Sequence, residues 1–274
     1  MRNCLLHKDL PFPLDRRAAC EYRLTALNWL RAGFASGIQG RFRQGTAGGG
    51  EPSMPIGSDA LQLDELVLGV RFHAEITLTS DLAEKYYRTM TRVRSGLFTS
   101  KIIQPGAPLV LLHESLGTQC LVTTNSLEFR ESKHLDQESF AKISHSLVTK
   151  LVEIFEMNDD NFRLFGKIYR YRLRLPNVLE TFKKSVGMFA NDDVRYLHLR
   201  TAIREGGKNV HFNFQTAEKE GKPVKDEILF SCDINNADQD SYQTVKILDE
   251  IVAFADKYNK QCLLDVLNAK LQAE

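Results

Sequence analysis

The sequence lacks closely spaced cysteine pairs. Its five cysteines, Cys4, Cys20, Cys120, Cys232 and Cys262, are scattered, and none belongs to a C-x-x-C motif. An odd number without close spacing argues against a disulfide framework and against a structural zinc site. We therefore expect free thiols in a reducing compartment, the cytoplasm.

Long apolar runs and a charge imbalance are also absent. The most apolar short stretch, residues 109–112, is strand-sized, whereas a membrane helix needs roughly 18 residues. No apolar segment typical of a secretory signal follows the first basic residues. The formal net charge is +1, so the overall balance favours neither nucleic acid nor an anionic membrane. We expect no membrane partner.

The common catalytic motifs are missing. No glycine loop is followed by Lys and Ser or Thr, as a P-loop requires, and no G-x-S-x-G elbow indicates a hydrolase. The His-Ala-Glu triplet at 73–75 has the H-x-E of zinc deaminases without their P-C-x-x-C. The Glu-Ser-Lys triplet at 131–133 resembles the end of some nuclease cores, but we interpret it as a solvated charge cluster because no metal-binding Asp precedes it. The sequence predicts no cofactor and no metal, and it favours a non-enzymatic protein.

The first 53 residues differ in composition from the rest. They contain seven arginines but one lysine, and they end in a Gly-rich stretch before Met54 that is typical of a flexible linker. Met54 is the natural start in the interpretation that we favour. Two alternative interpretations remain for the segment. It is a basic arm with a short helix at 22–30, or it is a targeting peptide, although its acidic residues argue against a targeting peptide. We predict that residues 1–61 are a disordered or non-native extension and that residues 62–274 form the domain.

Periodic patterns divide the domain into alternating strands and helices. The first half predicts a strand at 66–78, a helix at 81–96, strands at 109–113 and 119–124, and a helix at 137–156 capped by Asp136. The second half predicts a strand at 165–175, a helix with a capping box formed by Asn177 and Glu180, strands at 194–203 and 210–215 around the Gly206-Gly207 turn, a strand at 228–234, and a helix at about 243–270.

This order, β-α-β-β-α and then β-α-β-β-β-α, predicts an α+β fold. We expect a mainly antiparallel sheet with helices packed on one side, made of two related halves at 62–160 and 161–274. Aligning Gly69 with Gly166 superimposes the first strands of the two halves and suggests an internal duplication.

One strand carries an alternating basic pattern. Arg170, Arg172 and Arg174 occupy every second position, so all three leave the same face. The polar faces of later strands add further residues, and the candidate ligand-binding set is Arg170, Arg172, Arg174, Tyr196, His198, Arg200, His211 and Asn213. In one sheet they would form a basic, aromatic surface suited to phosphate, single-stranded nucleic acid or an acidic partner. The alternative is a solvated face, or one whose arginines pair with acids of the same chain, such as Asp233.

Two histidines leave a second possibility open. His198 and His211 lie on the polar faces of adjacent predicted strands, where they would be able to bind a metal ion. The sequence fixes no third or fourth ligand, so this pair alone specifies little.

Two local runs resemble a sporadically distributed family of uncharacterised bacterial proteins. One is the run at 163–171, Arg-Leu-Phe-Gly-Lys-Ile-Tyr-Arg-Tyr, and the other is Phe-Ser-Cys-Asp-Ile at 230–234 before the long final helix. The sequence has Leu173 and Arg174 where that family usually has Asn. The resemblance covers residues 62–271 and implies a bacterial cytosolic protein without an activity that can be transferred.

These observations favour a non-enzymatic binding or interaction protein that uses a basic, aromatic sheet face. Its partner would be another protein or an anionic ligand such as nucleic acid. One alternative is a small-molecule-binding domain with a cavity between the sheet and the C-terminal helix. Another is a metal-dependent enzyme that uses His198 and His211.

Overall fold

A computed structural model describes residues 58–104, 106–133, 136–185, 198–236 and 244–271. Residues 1–57 of the predicted extension lie outside this range. Residues 58–61 form a short 3₁₀ turn, Ser58–Ala60, and the beginning of the first strand.

The sheet has nine strands. They are β1 (Leu61–Phe72), β2 (Ser100–Ile102), β3 (Leu109–His113), β4 (Thr118–Val122), β5 (Ser126–Glu131), β6 (Phe162–Arg174), β7 (His198–Glu205), β8 (Lys208–Lys219) and β9 (Lys222–Asn235). Their order in the sheet is β2-β3-β4-β5-β1-β6-β9-β8-β7, and every neighbouring pair is antiparallel. The predicted α+β class with a mainly antiparallel sheet is confirmed.

Two strands of the first half were not predicted. β2 is only three residues long and exposed throughout, so it carries no burial pattern. β5 places charged residues among its apolar ones, which hides the alternation of Leu127 and Phe129. The first half therefore has the order β-α-β-β-β-β-α instead of β-α-β-β-α.

The helices are α1 (Ser80–Val93), α2 (Gln137–Ile154), α3 (Val178–Ser185) and α4 (Lys246–Leu271). Asp136 caps α2 as predicted, since its carboxylate accepts hydrogen bonds from the backbone N–H groups of Glu138 and Ser139. The predicted capping box of α3 is wrong. The backbone N–H of Asn177 donates to Asp226 at 2.6 Å instead, because β9 brings that carboxylate to the helix end, and Glu180 pairs with Lys183.

The helices cover one face of the sheet, and the hydrophobic core lies between the two layers. Phe140 of α2 stacks on Phe129 of β5 with ring centroids 5.0 Å apart, and Phe182 of α3 packs on Phe214 of β8 at 4.9 Å. Leu263 of α4 is 2% exposed, so this face of the predicted C-terminal helix belongs to the core. In the described part of the chain, no helix is both long and apolar enough to span a bilayer.

The two halves meet at the centre of the sheet. β1 and β6 pair along almost their whole length, and Gly69 lies directly opposite Gly166. Going outward from this pair, β5, β4, β3 and β2 follow on one side and β9, β8 and β7 on the other. The first strand of each half is thus central, and each half ends in a helix. Gly206 and Gly207, with φ of 55° and 76°, form the predicted turn between β7 and β8.

Candidate functional site

The strand register brings most of the predicted site residues onto one surface. Arg170 lies opposite Ser231 of β9, and Ser231 lies opposite Asn213 of β8. Asn213 in turn lies opposite Arg200 of β7. Residues directly opposite one another in an antiparallel pair point to the same side of the sheet. We call this surface of β1 and β6–β9, which is turned away from the helices, the open face.

The remaining predicted residues lie in neighbouring rows of the open face or outside the described chain. Arg172 shares a row with Leu229, Gln215 and His198. His211 lies opposite Asp233, one row away from the row of Arg170 and on the side opposite the row of Arg172. Tyr196 is not among the described residues.

Carboxylates from the same face pair with the three arginines. Arg170 forms an ion pair with Glu65 of β1. Arg172 reaches two acids, Asp64 at 2.9 Å and Glu227 of β9 at 2.8 Å. The hydrogen bond that Arg172 donates to Asp64 is the main cause that raises the pKa of Arg172 above its usual value.

Arg174 completes this network by pairing with Glu227 at 3.0 Å. The expected internal partner, Asp233, does not take part in these ion pairs. It accepts a hydrogen bond from Asn235 at 3.1 Å and lies beside His211 instead. The arginine strand is therefore a charge-balanced network and not an uncompensated basic patch.

The two histidines are separated on the open face. His198 lies opposite Gln215, whereas His211 lies opposite Ala202, so roughly 13 Å of strand separates their positions. Burial lowers the pKa of His211, and the nearby Asp233 carboxylate opposes that shift. Among the described residues, no group of three His, Cys, Asp or Glu side chains is placed to hold a metal ion.

A pair of glycines lies in the middle of the open face. Gly69 and Gly166 are opposite one another there, next to the row formed by Val67 and Ile168, in which Val67 is buried. A Cβ atom added to Gly69 would have no neighbour within 4 Å among the described residues, whereas one added to Gly166 would lie 3.2 Å from Cβ of Asn235. The backbone of β1 is therefore open to close approach at this point.

The helix-covered face contains a charged residue that the sequence analysis passed over. The side chain of Lys167 is fully buried and its Nζ donates to Oδ1 of Asp256 on α4 at 2.6 Å. Tyr169 donates its hydroxyl hydrogen to the same oxygen at 2.5 Å. The Lys167 ammonium also lies 5.2 Å from the ring centroid of Phe140, a favourable cation–π position.

A second buried charge lies in the first half of the sheet. Glu131 is 5% exposed, so its interpretation as part of a solvated cluster is wrong. It ends the row of β5 that contains Leu127 and Phe129 and therefore points toward the helices. Burial raises the pKa of Glu131 to about 7. It lines a cleft of about 400 Å³ with Thr118 of β4.

Comparison with known proteins gives little guidance. No protein-family model and no curated protein matches the chain. Among solved structures, the TBP of Methanococcus jannaschii is similar over 72% of this chain and 98% of its own, at 9% identity and a TM-score of 0.28. A TM-score this low supports no conclusion about fold family or activity.

Proposed function

We propose that this protein is a non-catalytic binding protein that docks another protein on the open face of its sheet. The network of paired arginines and carboxylates carries this proposal. A surface that presents both signs of charge beside apolar residues is typical of a protein–protein interface.

The same network argues against a polyanion as the main ligand. Nucleic acid binding depends on cations that are free to replace the counterions of the phosphates. Here Asp64, Glu65 and Glu227 already neutralise the arginines. These acids would repel a phosphate backbone that approached the strand.

The open face is large enough for a stable partner. The five strands of the open face, spaced about 4.8 Å apart, span roughly 20 Å, and the 13 residues of β6 extend roughly 40 Å along the strand. This area is close to the about 800 Å² that a standard interface covers on each partner. Gly69 is half-buried and carries no side chain, which would allow a partner to approach the backbone closely at the centre.

Packing beneath the C-terminal helix favours this function over a small-molecule cavity at that place. Tyr169 and Tyr171 fill the space between β6 and α4 and hydrogen-bond to Asp256 and Asn259, each at 2.5 Å. We also propose a bacterial, cytoplasmic setting, which is supported by the resemblance and by the free thiols of Cys120 and Cys232.

Substitution at Gly69 tests the docking face. Gly69→Trp places a large ring on the open face, away from the core. Gly69→Ala also replaces the glycine by a residue with a Cβ atom, but its methyl group leaves the surface uncovered. Chemical crosslinking in extracts of the native host, followed by mass spectrometry, compares the proteins bound by each form.

We expect a specific protein partner to be crosslinked to the wild type and to Gly69→Ala and to be lost from Gly69→Trp. Equal crosslinking to all three would show that the open face is not the docking surface. Binding of single-stranded nucleic acid that weakens steeply with salt and disappears in Gly69→Trp would replace the protein partner with a nucleic acid.

A further inference from the structure

A cleft on the helix side of the first half is formed by three separate elements. Arg94 and Gly96 follow the end of α1, Asp136 and Ser139 begin α2, and Thr118 and Glu131 come from β4 and β5. Its volume of about 400 Å³ lies within the range of small-molecule sites. The cleft is on the opposite side of the sheet from the open face, so it is independent of the proposed docking function.

Two buried polar groups line this cleft without a hydrogen-bond partner among the described residues. Thr118 and Glu131 lie directly opposite one another on adjacent strands, and they are 2% and 5% exposed. Within the described residues, neither Oγ1 of Thr118 nor Oε2 of Glu131 has a hydrogen-bond partner. Leaving such groups unpaired in a protein interior is costly, so a ligand that supplies hydrogen bonds would stabilise the site.

The charges around the cleft favour a cationic ligand. Among the described residues, the charged groups that act on Glu131 are Arg94, which lowers its pKa, and Asp136, which raises it. Two carboxylates thus face one guanidinium.

An anion is disfavoured at the same place. The positive end of α2 attracts negative charge. However, the Asp136 carboxylate already accepts hydrogen bonds from the backbone N–H groups of Glu138 and Ser139 at this end, both at 3.2 Å. The donors that would bind an added anion are therefore in use.

We propose that this cleft binds a small primary amine whose ammonium group pairs with the carboxylate of Glu131 and donates a further hydrogen bond to the hydroxyl of Thr118. The ammonium group supplies three donors, which match the unpaired acceptors of the two side chains. A single cation also balances the excess of carboxylates over guanidinium in the cleft.

NMR titration of ¹³C-labelled glutamate carboxyls tests the proposal. Propylamine is the probe, with propanol and propionate as uncharged and anionic controls of the same length. We expect propylamine to shift the Glu131 resonance saturably and to lower its pKa from about 7. Because the amine binds the ionised carboxylate, its affinity should rise about tenfold per pH unit below that pKa and level off above it.

Two matched variants locate the binding. Glu131→Gln keeps the shape of the side chain and should abolish binding, as measured on the remaining resonances. Glu128→Gln changes a carboxylate of the same strand that points to the other side of the sheet, and it should bind as the wild type does. Equal binding of propanol, preferential binding of propionate, unchanged binding by Glu131→Gln, or no response of Glu131 to propylamine would each overturn the proposal.

Discussion

Among the described residues, each half of the domain buries one acidic or basic side chain beneath its helices, and the surroundings of the two differ. Lys167 in the second half is paired with Asp256 and surrounded by aromatic rings. Glu131 in the first half has an oxygen without a partner in the described chain. Buried charges are tolerated when they are paired and hydrogen-bonded. Lys167 is thus satisfied by the fold itself, whereas Glu131 needs a proton or a ligand.

The difference follows from the helices that cover the two sites. α4 places Asp256 directly over β6, where the carboxylate accepts hydrogen bonds from Lys167 and Tyr169. Burial and the nearby Asp256 carboxylate raise the pKa of Tyr169, so its hydroxyl stays protonated and continues to donate. Over Glu131, the end of α1 and the start of α2 leave a cleft instead.

Removing the partner of Lys167 should have the largest effect. Asp256→Ala would leave the buried ammonium without its counter-ion and make the second half resemble the first. We expect the free energy of unfolding to fall by about 3–5 kcal/mol, measured by urea denaturation at neutral pH.

Asn259→Ala is the matched control for that measurement. It removes the hydrogen bond to Tyr171 from the next turn of the same helix without uncovering a charge, and it should cost only about 1 kcal/mol. Equal losses for the two variants would mean that the ion pair contributes no more than a neutral hydrogen bond.

The pH dependence of stability should reveal the buried carboxyl of Glu131. The carboxyl holds its proton up to a pKa of about 7 in the folded protein, against 4.5 for an ordinary glutamate. The native state then binds more protons than the unfolded state between these values, so this group's stabilising contribution is complete below pH 4.5 and is lost as the pH rises through 7. The loss should reach at most about 3 kcal/mol, measured by denaturation across this pH range.

Glu131→Gln separates this contribution from those of other groups. The variant cannot ionise at this site, so its stability should decline less steeply than that of the wild type between pH 4.5 and 7. Parallel pH profiles for the two proteins would show that the Glu131 carboxyl titrates normally.

Strand periodicity predicted the fold class because apolar residues alternate along most strands. The same alternation places Lys167 in line with Phe165 and Tyr169, and Glu131 in line with Leu127 and Phe129. A charged residue in phase with an apolar row is thus the signal that would have indicated both buried charges. It was missed because charge alone suggested solvent exposure.

The arginine face was predictable only in part. Period-two geometry correctly placed Arg170, Arg172 and Arg174 on one face. Their partners lie 53 to 108 positions away in sequence, and the register of β1 against β6 shifts between Leu63 and Glu65. Local patterns contain neither the strand order nor this irregularity, so the pairing acids were not predictable.

The smallest effect is expected on the open face, where charges are paired but partly exposed. The Arg172 side chain is 35% exposed and lies between Asp64 and Glu227, so solvent screens its ion pairs far more than the Lys167 pair. Arg172→Glu replaces two attractions with repulsion and should lower the free energy of unfolding by about 1–2 kcal/mol. Because exposed charges are screened by ions, the difference in free energy of unfolding between Arg172→Glu and the wild type should be smaller at high salt than at low salt. The loss caused by Asp256→Ala should change little with salt. Arg172→Gln removes the attractions without adding a negative charge. Its free energy of unfolding should lie between those of the wild type and Arg172→Glu. An Arg172→Glu variant as stable as the wild type at low salt would show that the arginine network contributes nothing to folding, and the strand would then be free to serve an external anion.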